Sequence, residues 1–482
     1  MKRMLVFERG KKGRRCVVFP RAEVEKVPEH LRRRTAPALP EVGELELIRH
    51  YMHLSSLNYS VDSGFYPLGS CTMKYNPKIN ERIAALPGFG GSHPLATEED
   101  VQPILRLVWE MEEFLKKVCG MDAFTMQPSA GAHGELTGML MIYSHHKARG
   151  ERRTTVLIPD SAHGTNPATA AMCGYGVKQV KSNDRGMVDL EDLKGKMDQN
   201  VAALMLTNPN TLGVFEEEIL EISRAVHEEG GLLYYDGANL NALLGKCRPG
   251  DMGFDVVHLN LHKSFSTPHG GGGPGAGPVG VRKELEPYLP IPVLIKDGDR
   301  FQMDEDRPSS IGKVSTFYGN IGVVIRAYGY IRMLGTEGLE KVAEVAVLNA
   351  NYLFKKLRGH YRVPFPTQPM HELVVSASEL KKKGVSALDV AKRLIDYGYH
   401  PPTMYFPLIV REALMIEPTE TESLDGLDRF VEVMIQISEE AERAPDTLRE
   451  APRNAPMRRL NETKAAREPV LRWWPSTDAS HT

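Results

Sequence analysis

Five short apolar runs, residues 123–126, 155–158, 201–206, 232–235 and 256–259, each end in small and polar residues, with helical stretches between them. Runs of this length, bounded by turn residues, suit strands better than helices. Strands that alternate with helices build a mostly parallel sheet, because each parallel return needs a crossover of helix length. The predicted fold class is therefore α/β. In such sheets ligands bind beyond the carboxyl ends of the strands, so the residues that follow the five runs are the first candidates for a site.

The flanking segments extend this reading. Val101, Ile104, Leu105, Val108, Met111, Leu115 and Val118 recur at helical spacing, with Gly120 as terminator. Residues 216–229 read as another helix. From about Asn320 two helical patterns break near Gly335, and a strand at 372–376, a helix at 387–397 and a strand at 413–416 make a smaller α/β unit. The expected organisation is an amino-terminal arm (1–95), a large ligand-binding domain (96–325), a small domain (326–444) and a polar, Pro-punctuated tail (445–482) in which Trp473-Trp474 suggests docking. There is no internal repeat.

Composition narrows the partners. Sixty Lys and Arg against 62 Asp and Glu leave a formal charge of −2, which offers no electrostatic case for nucleic acid or a membrane surface. The Arg32-Arg33-Arg34 run is read as a local solvated or interface patch. Five scattered cysteines without C-x-x-C spacing speak against a disulfide framework and a structural zinc site, and for a reducing compartment, with the cytoplasm as default. No apolar run reaches the roughly 18 residues of a membrane helix, and the basic amino end lacks the apolar segment of a secretory signal.

The most informative string is His258-Leu259-Asn260-Leu261-His262-Lys263-Ser264-Phe265, followed by Pro268-His269 and the glycines Gly270 to Gly273. A lysine at a strand end, beside polar residues and a flexible loop, is placed to be a nucleophile, and an amine whose pKa is lowered forms a Schiff base with a carbonyl. Upstream, Gln127-Pro128-Ser129-Ala130-Gly131-Ala132-His133-Gly134-Glu135 joins a strand to a helix. Small residues there expose backbone N–H groups at the positive end of the helix dipole, which makes a phosphate cup. Asp236-Gly237-Ala238-Asn239 follows the fourth run, where Asp236 is either a functional carboxylate or a helix N-cap.

Asn260-x-His262-Lys263 resembles the Schiff-base segment of fold-type I pyridoxal-phosphate (PLP) decarboxylases. The fuller string with its Pro268-His269 and glycine run is similar to the P-protein of the glycine cleavage system. The resemblance extends from about Leu54 to Glu422 and includes the polar segment 59–74 and Met415-Ile416-Glu417-Pro418-Thr419-Glu420-Thr421-Glu422. The single-chain form of that family is much longer, and this chain corresponds to its carboxyl half, as does subunit 2 of the two-subunit form.

That resemblance implies an aspartate aminotransferase-like fold and PLP as cofactor, with Lys263, Asp236 and His163 as catalytic residues. Lys263 would carry PLP, with Asn260 and His262 facing its phosphate or imine side. Ser129, Ala130 and Gly131 would cradle the phosphate, and Asp236 would pair with the ring nitrogen, so that the cofactor acts as an electron sink. Ala238 would pack on one ring face and His163 on the other, with His133 the alternative. Asn208 would donate to the phenolic oxygen, with Thr211 the alternative. Arg411 is a candidate for the substrate carboxylate, and Cys71 reads as a bystander. Segment 59–74 would reach an active site, its own or a partner's, or serve as an interface loop.

The implied reaction is decarboxylation of glycine with transfer of the aminomethyl group to the lipoyl arm of the H-protein. The implied assembly pairs this chain with subunit 1, most simply as α2β2. Two rivals remain at this level: a simple amino-acid decarboxylase of the same fold, and a non-catalytic partner subunit.

Overall fold

A computed structural model describes residues 4–18, 20, 27–35, 37, 39–270 and 275–472. Compact units divide between Gly64 and Phe65, so residues 65–95, read above as part of the arm, belong with the second unit. Their own packing explains this: Leu68 bridges Ile416, and the Lys74 ammonium donates to Asn241 and to the Ser264 carbonyl. The first unit carries the helix Glu44–Ser56, whose Glu46 side chain accepts from Gly43 N at 3.3 Å. The glycines at 271–273 and Trp473-Trp474 lie outside the described residues.

The second unit is built on a seven-stranded sheet: β1 (Ala123–Thr125), β2 (Thr155–Pro159), β3 (Gly176–Val180), β4 (Val201–Thr207), β5 (Leu232–Gly237), β6 (Val256–Leu259) and β7 (Val279–Val281), in the order β1-β7-β6-β5-β4-β2-β3. β2 to β6 pair in parallel, and β7 runs antiparallel to β1 and β6. All five apolar runs are strands. β3 and β7 escaped the sequence reading for physical reasons. β3 is an edge strand with four of its five residues exposed, so it carries no apolar signal, and β7 is three residues within a Gly- and Pro-rich stretch.

Helices cover the sheet: α1 (Glu98–Cys119), α2 (Gly131–Ala148), α3 (Thr165–Met172) and α4 (Ile219–Glu228). Gly120 ends α1 in the left-handed region, φ 70°, where glycine carries no Cβ penalty. Every residue of β4 is buried, and each large apolar side chain taken from water there contributes about 1.5–3 kcal/mol. α2 approaches the sheet closely. A Cβ on Gly138 would stand 2.6 Å from the Tyr234 ring, and one on Gly134 would stand 2.7 Å from the Gly277 carbonyl oxygen. This contact seats the start of α2 over the ends of β5 and β6.

A hairpin of β8 (Val293–Asp297) and β9 (Arg300–Asp304) follows. The long α5 (Ile321–Leu357) is interrupted at Gly335, where φ is 63°. Its second half packs in a separate apolar core with a three-stranded sheet of β10 (Leu373–Ser376), β11 (Thr403–Met404) and β12 (Ala413–Ile416), and with α6 (Ala387–Asp396) and α7 (Leu424–Arg443). The segment after α7 buries Leu448 in that core.

Candidate active site

The carboxyl ends of the parallel strands open on a cavity of about 420 Å³. Lys263 lines it from the single helical turn Leu261–Ser264, which begins directly after β6. On the neighbouring strand, Asp236 lies near the end of β5 and is fully buried. Its Oδ2 accepts from His163 Nε2 at 2.6 Å and its Oδ1 from Ala238 N at 3.0 Å; His258 Nε2 lies 3.4 Å from Oδ1. Burial would raise the Asp236 pKa. The imidazoles of His258 and His163, the His163 hydrogen bond and the charge of Lys263 outweigh it and hold the carboxyl well below its usual range. The short contact makes His163 the principal partner, because burial pushes His258 down to about 4. His163 itself moves up, since Asp236 overcomes the burial that would lower it.

The opposite end of the cavity is a backbone cradle. Ala130, extended at φ −158°, is the N-cap of α2, so the helix begins at Gly131 and its first N–H groups precede the intrahelical ladder. Gly131 and Ala132 line the cavity. A Cβ on Gly277 would lie 2.0 Å from the Ala130 carbonyl oxygen, so the backbone there admits only glycine, and one on Gly131 would lie 2.2 Å from Asn260 Nδ2, so a larger residue would displace the Asn260 side chain. Asn260 Oδ1 is buried with no partner. His262 accepts from Ala276 N at 3.4 Å, and burial, with His269 and Lys263 nearby, lowers its pKa to about 3. An orphaned polar atom, a helix N-terminus, a lysine and an ionised aspartate in one cavity fit a phosphorylated, basic-ringed cofactor with a carbonyl group.

Most residues singled out in the sequence meet here: Lys263, Asp236, His163, Ala238, Gly131, Asn260 and His262 all line the cavity. Others stand elsewhere. His133 folds back on the turn, with Nδ1 3.2 Å from Ser129 N. The Ser129 carbonyl accepts from Asn320 Nδ2 at 3.2 Å. Asn208 is turned into the body, where Oδ1 accepts from Glu216 N at 3.1 Å and Nδ2 faces Met252 Sδ. The Thr211 hydroxyl donates to the Ser161 carbonyl. Arg411 is exposed and lines no part of the cavity.

Two groups lie in strings singled out above but were given no role there. Glu135, in the first turns of α2, lines the cavity, and burial together with the Asp236 charge pushes it up to about 7. With its nitrogen toward the carboxylates, the Asn166 amide donates to Glu135 Oε2 at 2.9 Å and to Asp236 Oδ2 at 3.2 Å. Lys74 is buried, and its ammonium donates to Glu420 Oε1 (2.8 Å), Asn241 Oδ1 (2.9 Å) and the Ser264 carbonyl (2.9 Å). It ties the segment before it to the Lys263 turn. As a result Gly69, Ser70 and Cys71 form a wall of the same cavity, together with Thr403 and Phe406.

Residues 342–458 match the model of the glycine dehydrogenase C-terminal domain, and residues 135–291 match that of class-V aminotransferases. A protein of Bacillus licheniformis named "Probable glycine dehydrogenase (decarboxylating) subunit 2" is 59% identical over 476 residues, covering 97% of this chain and 98% of its own. A Caldanaerobacter subterraneus protein of the same name is 58% identical over the same shares. Among solved structures, an inhibitor-bound glycine decarboxylase (P-protein) of the glycine cleavage system superposes with a TM-score of 0.71 at 20% identity, covering 85% of this chain and 93% of that one. A NifS-like protein gives 0.60 at 18% identity, covering 78% and 99%. These superpositions fix the fold as the fold-type I, aspartate aminotransferase-like α/β architecture. At that identity across nearly its whole length, the chain belongs to the family of glycine dehydrogenase (decarboxylating) subunit 2.

Proposed function

We propose that this chain is the cofactor-bearing subunit of a glycine decarboxylase, which transfers the aminomethyl group of glycine to the lipoyl arm of an H-protein and releases carbon dioxide. The observation that carries the reading is the joint presence of Lys263, the ionised Asp236 and the start of α2 around one cavity, in a chain of this family. Lys263 would hold PLP covalently, Gly131 and Ala132 N–H groups would bind its phosphate, and Asp236 would keep its ring nitrogen protonated. So bound, PLP supplies an electron sink for the bond being broken.

The chain's own contribution is placement and charge. Asp236 is held ionised by His163 and by its Ala238 N–H bond, so its charge persists across the working pH range. Ala238 and His163 both line the cavity and both bond Asp236, and they would pack against the two faces of the cofactor ring. Gly69 to Cys71 and Phe406 form a wall of the cavity, against which a small substrate would be oriented.

The name shared by the relatives implies a partner subunit. We propose that the assembly is α2β2 with subunit 1 and lies in the cytoplasm. The test is to load the purified chain with PLP, reduce it with borohydride and map the adduct by mass spectrometry. Exchange of carbon dioxide into glycine is then assayed with lipoylated H-protein, with and without subunit 1. The expected result is an adduct on Lys263 and exchange only with both partners. An adduct on another lysine overturns the site, and full exchange by the chain alone revives a stand-alone decarboxylase.

A further inference from the structure

The buried Lys74 ammonium is more than a partner for Glu420. An ammonium has three N–H groups, and each of these meets an acceptor on a different part of the chain. Glu420 Oε1 accepts at 2.8 Å, Asn241 Oδ1 at 2.9 Å and the Ser264 carbonyl at 2.9 Å. Asn241 lies in the short turn Leu240–Ala242, soon after Ala238, whose N–H donates to Asp236 Oδ1. Ser264 is the neighbour of Lys263 in the turn after β6. Lys74 thus joins the loop that follows Asp236 to the turn that carries Lys263.

Glu420 closes the set. Asn241 Nδ2 donates to its Oε2 at 3.2 Å, and the Tyr330 hydroxyl to its Oε1 at 3.3 Å. Burial would lower the Lys74 pKa, but the Glu420 charge, with Tyr330 and the hydrogen bonds to both, raises it, so the ammonium keeps its three N–H groups. A second set of bonds holds the chain just beyond Lys263. Ser266 Oγ donates to the Tyr75 carbonyl at 2.7 Å, and His269 Nε2 to the Cys71 carbonyl at 2.8 Å. Ser266 has φ at 54°, a left-handed conformation that a residue with a Cβ keeps only where its surroundings impose it. The Lys263 turn is a single helical turn, too short to hold its own shape. Segment 71–76 imposes that shape, and its buried cation is Lys74.

We propose that Lys74 is a positioning residue for the reaction: its three N–H bonds hold the Lys263 turn in register with the loop after Asp236, and so fix where the Lys263 nitrogen meets the cofactor carbonyl. Lys74 itself lies outside the cavity lining and acts through the backbone of the turn. Misplacing a reacting group by about 1 Å can cost on the order of 10²-fold in rate, which is the scale such a tie can protect. The inference rests on the reading that Lys263 holds PLP.

The experiment compares the natural chain, Lys74→Met, Lys74→Met with Glu420→Gln, and Leu353→Ala, which destabilises the separate core around β10 and β12. Each chain is freed of cofactor, mixed with PLP and quenched with borohydride at successive times. Mass spectrometry then gives the rate at which the adduct on Lys263 appears, and denaturant midpoints give stability. The double variant leaves no unpaired buried charge and should regain most of its stability, yet its adduct should form about tenfold or more slowly. In glycine exchange with subunit 1 and lipoylated H-protein, its kcat should fall by a similar factor while KM for glycine stays nearly unchanged. Leu353→Ala, destabilised but untouched at the turn, should form the adduct at the natural rate.

A stable double variant that forms the adduct at the natural rate overturns the inference, and so does a rate that follows stability across the whole set, Leu353→Ala included. Should the double variant not fold, Asn241→Leu decides in its place. It keeps the Lys74–Glu420 pair and cuts the tie to the loop after Asp236, so adduct formation should again slow, and a natural rate overturns the inference. If borohydride traps nothing on Lys263 of the natural chain, the cofactor reading itself has failed, and that outcome is distinct from an unchanged rate.

Discussion

His163 Nε2 stands 2.6 Å from Asp236 Oδ2, and this bond ties the loop after β2 to the end of β5. Thr165 N points at His163 Nδ1 at 3.3 Å, so the Nε2 proton faces the carboxylate. The fully buried Asp236 is thereby ionised by its surroundings, with the loop as its counterpart.

Replacement of Asp236 by Asn keeps the shape and removes the charge. Glycine-exchange activity should fall on the order of 10²-fold or more, the usual scale for losing one preorganised electrostatic partner. Steady-state exchange rates with the visible spectrum check this. Near-normal rates would reduce Asp236 to a structural role.

The two histidines separate by alanine substitution. His163→Ala should weaken cofactor retention and shift the visible band, because His163 lines the cavity beside Asp236. His133→Ala should leave the band in place, because that ring bonds the Ser129 backbone at 3.2 Å outside the cavity lining. The reverse pattern, read by dialysis and absorbance, would exchange their roles.

Gly131→Ala places a methyl group 2.2 Å from the Asn260 amide. The Asn260 side chain must shift, and the cradle shifts with it. The expected outcome is a folded protein that binds inorganic phosphate and PLP about tenfold or more weakly, since one lost charge-assisted hydrogen bond is worth roughly 1.5–3 kcal/mol. Asn260→Ala in the same chain removes the clash and should restore part of the affinity; calorimetric titration decides.

Lys74→Met leaves Glu420 facing the interior without its cation. Breaking a buried pair in this way costs about 3–5 kcal/mol, whereas Lys74→Met with Glu420→Gln removes both charges and should recover much of the loss. Denaturant midpoints of the single and double variants measure the difference.

Glu112 lies in α1, fully buried but for a bond from the Tyr318 hydroxyl at 2.6 Å, and burial pushes its pKa up to about 8. The folded state therefore keeps a proton that the unfolded state releases above about 4.5, the ordinary value for the group. Stability tied to Glu112 is fully present below the unfolded value and is lost as pH rises toward about 8, by up to about 1.4 kcal/mol per pH unit. Glu112→Gln should flatten that slope and raise the melting temperature at mildly alkaline pH. An unchanged pH profile of melting would sink this account.

The five apolar runs and the polar strings after them determine a great deal without any structure. Strand burial demands contiguous apolar residues, and ligand chemistry at strand ends demands lysine, aspartate and glycine at those particular breaks, so Lys263, Asp236 and the turn at Gly131 are legible in one dimension. Side-chain direction is not. Asn208 stands just past the end of β4 and Asp236 near the end of β5, yet the Asn208 amide turns inward to Glu216 N, because a loop's hydrogen bonds are satisfied by whatever packs against it. His163 and His133 are likewise both histidines near strand ends, and only the path of each loop separates them. Lys74 lies far from Lys263 in sequence, and only the fold brings its ammonium onto the Ser264 carbonyl beside that lysine. Long-range electrostatics depends on three-dimensional distance and desolvation, which only the tertiary structure supplies.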